Sequence, residues 1–80
     1  MWSEGVIGIP TGEKDQYIPV HYWVKHYELP SKFGIDNGRV SKLTLKIDGV
    51  VVANFDRGWD VRPEGFAAEA ALAIILKEYN

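Results

Sequence analysis

Apolar and polar residues alternate with a period of two from Tyr17 to Glu28. Ile18, Val20, Tyr22, Val24 and His26 fall on one parity, and Tyr17, His21, Trp23, Lys25 and Tyr27 on the other. That period places the two sets on opposite faces of a β-strand. Pro19 has no N–H to give a ladder, so the strand starts at an edge or a bulge there. Trp2 to Ile9 is a second strand, closed by Pro10. Arg39 to Ile47 alternates again, with Leu43, Leu45 and Ile47 set against Lys42, Thr44 and Lys46. Asp48-Gly49 then signals a hairpin into Val50–Asp56. Leu29 to Gly38 is a long connection with a helical turn expected around Pro30-Ser31-Lys32-Phe33, ended by Asp36-Asn37-Gly38. From Pro63 to Tyr79 the pattern turns helical, with Ala68, Ala71, Leu72, Ile75, Leu76 and Tyr79 on one stripe. A weaker stripe runs through Phe66, Ala70 and Ile74.

These elements predict an α+β domain over residues 1–80: a four-stranded, mainly antiparallel sheet (ββββα) with one C-terminal helix packed on one face. Two hairpin registers compete. A two-residue turn pairs Ile47 with Val50 and sets Leu43 opposite Asn54, which buries an amide. A three-residue loop sets Leu45 beside Val51 and Leu43 beside Ala53, with Phe55 on the same face. Burying Phe55 and exposing Asn54 favours the second. The expected core is Tyr22, Val24, Leu43, Leu45, Val51, Phe55, Trp59, Leu72, Ile75 and Leu76. The stretch "NFDRGWD" (Asn54 to Asp60) then reads as structure. Gly58 bends the exit of the strand, and Trp59 plugs the corner between sheet and helix. Asp60 stands at the positive helix start, and Arg57 has Asp56 and Asp60 as counter-ions. A large aromatic so placed contributes about 3–5 kcal/mol.

Size sharpens this picture. Eighty residues bury a limited fraction of their surface, so the three Trp, four Tyr and three Phe must pack well. With no cysteine, neither disulfides nor a thiolate metal site can support the core, which fits a reducing compartment. "MWSEGVIGIP" lacks the basic and apolar regions of a signal peptide, and Ala70–Leu76 is too short to span a bilayer. The expectation is a soluble, cytoplasmic protein with no membrane partner. The net charge of −2 argues against a dedicated duplex-DNA binder, although Lys25 to Lys46 carries +3 and the remainder −5.

Catalytic and metal chemistry find little footing. His21 and His26, five residues apart on one strand, point to opposite faces and cannot share an ion. Asp36-Asn37-Gly38 lacks the ligand spacing of a calcium loop. "TGEKDQ" (Thr11 to Gln16) does not match a phosphate loop. No serine stands in a nucleophile elbow, and Asp56 and Asp60 read as structural charges rather than an acid–base couple. No cofactor and no enzymatic activity are expected.

The strand face opposite the helix is different. Tyr17, His21, Trp23, Lys25 and Tyr27 lie beside Lys42, Thr44 and Lys46 if the second and third strands are neighbours. Rings interleaved with lysines suit single-stranded nucleic acid, stacking bases and meeting phosphates. A broad aromatic surface is equally a mark of protein contact. The reading is a non-catalytic binding or interaction module. It self-associates as a homodimer, through this face or the second helix stripe, or binds another protein. Single-stranded nucleic acid is the alternative.

Two resemblances add to this. "GRVSKL" (Gly38 to Leu43), the Asp48-Gly49 turn and "NFDRGWD" together resemble a small uncharacterised protein family of bacteria and their mobile elements. That resemblance covers most of the chain and implies no site residues. The order of four strands and one helix is similar to the positive-cofactor-four family of single-stranded-DNA-binding proteins, from which the acidic net charge departs.

Overall fold

A computed structural model describes residues 1–80. The sheet has five strands, not four, in the order β1-β2-β3-β4-β5: β1 (Trp2–Pro10), β2 (Tyr17–His26), β3 (Val40–Ile47), β4 (Val50–Asp56) and β5 (Trp59–Val61). Every neighbouring pair is antiparallel, so the chain is a meander. Helix α1 (Phe66–Tyr79) crosses β1, β2 and β3 on one face. The α+β class holds, but the four-stranded count does not. It is overturned by the "GWDV" segment, where Trp59 pairs with Phe55 and Val61 with Asn54. Arg57, at φ 59°, supplies the left-handed residue of that turn, and Asp56 N–H donates to the Gly58 carbonyl at 2.9 Å. Asp60 therefore lies in a strand rather than at the helix start, and accepts from the Asn54 amide at 3.3 Å. The guanidinium of Arg57 lies 5.9 Å from the Phe33 ring centre.

The β3–β4 hairpin combines both registers weighed above. Asp48 (φ 51°) and Gly49 (φ 77°) are both left-handed, as a two-residue type I′ turn requires, so Ile47 pairs with Val50. A bulge follows, leaving Val52 unpaired between Lys46↔Val51 and Leu45↔Ala53. The extra residue switches faces. Ala53 and Phe55 point into the core, whereas Val51 turns outward and is 41% exposed. The placement of Val51 in the core is thus wrong, and Leu43 faces Phe55, not Ala53.

The buried cluster joins Ile9, Val20, Val24, Val40, Leu43, Leu45, Ala53 and Phe55 of the sheet to Ala67, Ala71 and Ile75 of the helix. Alanines at the contact let α1 lie close to the strands. Tyr22, Trp59, Leu72 and Leu76, expected inside, pack around this cluster half-buried. The helix begins at Phe66 after Gly65, so Pro63 stands before it and not in its first turn. No helix is long and apolar enough to cross a membrane.

The connection from β2 to β3 holds a short 3-10 turn at Ile35–Asn37, later than the expected turn at residues 30–33. Ile35 is buried there. Asn80 locks this segment to the helix end: its side chain accepts from the Val40 N–H at 3.0 Å and donates to the Ile35 carbonyl at 3.1 Å. The amide lies where a Cβ on residue 38 would stand, so only glycine fits beneath it. Gly38→Ala and Asn80→Ala should each destabilise by about 1–3 kcal/mol in denaturant titrations. The double variant should lose clearly less than the sum, because both remove the same lock. Additive losses would show two unrelated effects.

Trp59 meets Phe55 edge-on, with ring centres 5.1 Å apart at 73°. It sits on a short edge strand and keeps part of its surface in water. The corner-plug role is corrected accordingly. Phe55→Ala should cost about 3–5 kcal/mol and Trp59→Ala about 1–3 kcal/mol. Equal losses in thermal melts would restore the plug.

Candidate protein-interaction face

The face of the sheet opposite α1 is built in rows by strand register. One row runs Trp2, Lys25, Lys42, Asp56; the next runs Glu4, Trp23, Thr44, Asn54; the third runs Val6, His21, Lys46, Val51. Residues directly opposite on antiparallel strands share a face, so alternation along each strand suffices to assemble them. His21, Trp23, Lys25, Lys42 and Lys46 are brought together, as the β2 pattern implied. Tyr17 stands apart at the far end of β2, opposite Pro10. Tyr27 lies just past β2, where its N–H donates to the Arg39 carbonyl at 3.0 Å.

The side chains engage one another. The His21 ring stacks on Trp23, centres 4.0 Å apart and 23° from parallel. The Lys46 ammonium lies 5.5 Å from the Trp23 centre. Lys25 places its ammonium 5.9 Å from Trp2 and 5.6 Å from Tyr27. Interaction with Lys25 also lowers the Tyr27 phenol pKa below its ordinary value. Charge is balanced across the face. Glu4 meets His21 at 3.0 Å, Asp56 lies 3.8 Å from Lys42, and Thr44, Asn54 and Asp60 form a hydrogen-bonded chain. Sequence reasoning missed Trp2, Glu4, Val6, Val51, Asn54 and Asp60 here. The alternation Trp2, Glu4, Val6, Gly8 could have supplied the β1 members; Val51 could not be read, because it depends on the bulge.

On the helix face a polar cluster closes the same end of the sheet. His26 Nε2 lies 3.1 Å from Ser3 Oγ, and the His26 ring packs 4.7 Å from that of Tyr79. The hydroxyls of Tyr79 and Tyr22 are 3.5 Å apart, and this hydrogen bond, with burial, raises the Tyr22 pKa. The Tyr22 ring passes over Gly5, where a Cβ would stand 2.8 Å from its hydroxyl. His21 and His26 point to opposite faces, and no three metal-ligating side chains converge anywhere.

The geometry defines a class: a small α+β meander with its helix on one face and a mixed aromatic and charged surface on the other. The chain belongs to the family described as domain of unknown function DUF7678, whose model matches residues 1–80. Neither a curated protein nor a solved structure matches. The fifth strand also departs from the four-strand order that suggested a positive-cofactor-four likeness.

Burial lowers the His26 pKa, helped by the positive charges of the Met1 amino group and Arg39. Its folded value lies below its unfolded one, so the unfolded chain takes up the proton first as pH falls. Stability from this group is full above about pH 6.5 and declines below it. The melting temperature should fall between about pH 7 and about pH 5, and His26→Gln should flatten that slope. An unchanged slope in the variant would assign the dependence to other groups.

Proposed function

We propose that this protein is a non-catalytic interaction module that engages a protein partner through the open face of its sheet. One observation carries the reading. His21 stacks on Trp23 and meets Glu4, Lys46 and Lys25 lie over rings, and Lys42 has Asp56 beside it. Asp60 adds a further carboxylate through Asn54, so three carboxylates stand among the three lysines of the surface. A single-stranded nucleic-acid binder needs bare rings for bases and uncompensated cations for phosphates. A protein interface needs apolar anchors inside a polar frame. Val6, Val51 and Val61 are exposed in or beside this face, with Trp2 at its margin.

Labelled oligo-dT and oligo-rU should show no binding at high micromolar protein in low salt, where electrostatic binding is strongest. Titrations that saturate, weaken steeply with salt and vanish in Trp23→Ala would instead establish nucleic-acid recognition. A partner identified by mass spectrometry after affinity capture should be lost with Val51→Asp, a substitution on an exposed position that leaves the core intact. Capture unaffected by Val51→Asp would move the interface away from this face.

A further inference from the structure

The two edges of the sheet differ. β5 is three residues long, too short to recruit another strand, whereas β1 runs nine residues with an unbroken register. The direction of its free hydrogen-bonding groups follows from parity. Met1 and His26 exchange both backbone hydrogen bonds, at 3.0 and 2.9 Å. Pairs two residues apart along an antiparallel ladder repeat that pattern, so Ser3, Gly5, Ile7 and Ile9 bond inward to β2. The Thr11 N–H to Gln16 carbonyl bond, at 3.1 Å, continues the same parity. Trp2, Glu4, Val6 and Gly8 therefore aim their N–H and C=O groups outward, and Pro10 ends the row with a carbonyl alone.

Long, flat, unguarded edges template a further strand. In its middle β1 has no lysine, no bulge and no proline between Trp2 and Ile9, and its one charge, Glu4, is held by His21 at 3.0 Å. Its residues are also self-complementary. Laid antiparallel on a second copy about a two-fold axis through Val6, the strand sets Val6 against Val6, Glu4 against Gly8 and Trp2 against Pro10. No like charges meet, and every outward donor finds a carbonyl. A shift that centred the axis on Glu4 would oppose two carboxylates. On the helix face the same register places Ile7 of the second copy beside Gly5, against the Tyr22 ring that crosses it. There a cleft of about 170 Å³ opens between sheet and helix, lined by Ile7, Tyr22, Ile74, Ile75, Glu78 and Tyr79. Ile74 stands beside it 48% exposed, and Val6 is 61% exposed on the other face.

We infer that two copies of this chain pair through their β1 edges about Val6, giving one continuous sheet with both helices on the same face. This surface is distinct from the open face proposed above as the partner-binding surface, and leaves most of that face free.

Sedimentation equilibrium should give twice the 9.0 kDa chain mass at micromolar concentration. Val6→Lys and Val6→Glu should each weaken the dimer roughly tenfold or more, because two like charges then face each other at the axis. Mixed in equal amounts, the two variants should restore it, an outcome specific to this register. Amide exchange should show Glu4, Val6 and Gly8 protected in the dimer and open on dilution, while Ser3, Gly5 and Ile7 stay protected at both concentrations. That second readout holds if a variant is poorly folded. A wild-type monomer at high micromolar concentration overturns the inference. So does a dimer indifferent to both Val6 variants, or one dissolved by Trp23→Ala with the β1 amides still exchanging.

Discussion

Everything in this fold depends on the pairing of β2 with β3. Val24 stands opposite Leu43 and Tyr22 opposite Leu45, with Val24, Leu43 and Leu45 essentially removed from water. A slip of β2 by one residue would send Tyr22 and Val24 to the opposite face and bring His21, Trp23 and Lys25 against Leu43 and Leu45. Burying a lysine without a partner costs far more than any single contact in so small a core. The register is therefore strongly determined, and it simultaneously decides which side the helix must cover. The character of the open face is the other half of the same decision.

The helix is a consequence more than a cause. It has no side-chain N-cap and starts from Gly65 at φ 92°, and its exposed side carries Phe66 and Ile74. Its hold on the sheet comes from Ala67, Ala71 and Ile75 against the central strands, and from Asn80 bonding to Ile35 in the β2–β3 connection and to Val40 at the start of β3. That connection is shaped to receive it. Gly34 and Gly38 approach each other so closely that a Cβ on residue 34 would strike the Gly38 carbonyl. The connecting loop and the helix end thus form one packed unit, which explains how a thirteen-residue connection (27–39) with a single 3-10 turn can contribute a buried residue, Ile35.

The sequence made the period-two strands and the helical tail legible because each has one buried and one wet side. β2 shows this best: its two parities separate by burial as its side-chain pattern implied. What escaped reading was decided by backbone geometry. Asp48-Gly49 announced a hairpin, but the left-handed conformation of both residues set a two-residue turn, and the bulge at Val52 then recovered the burial of Phe55. Side-chain burial alone suggested the longer loop, since it reaches the same facing of Phe55 by another route. β5 escaped for a related reason. Three residues do not establish a period, and its turn uses Arg57 rather than a glycine in the left-handed position. On the site, alternation in β2 and β3 pointed to His21, Trp23, Lys25, Lys42 and Lys46, but their acidic counterparts come from β1, β4 and β5. Their arrival changes the chemistry of the face from cationic to balanced.

That change bears on how a small sheet chooses its contacts. An open face of rings and lysines alone would draw phosphate-bearing polymers without discrimination, since counterion release rewards any polyanion. Cross-strand neighbours restrain it here: Glu4 at His21, Asp56 near Lys42, and Asp60 through Asn54. Each pair contributes little to stability, being exposed. Their effect is on selectivity, because a partner must match an alternating pattern of charge around valine and tryptophan surfaces and not merely supply negative charge. The β1 edge adds a different constraint, backbone pairing, which specifies direction and register but tolerates many side chains. Face and edge meet at Trp2, Glu4 and Val6, which lie on the open face while their backbones point along the edge. Any strand added at β1 would extend the open face laterally, so its occupant would set the width of the surface available to a partner.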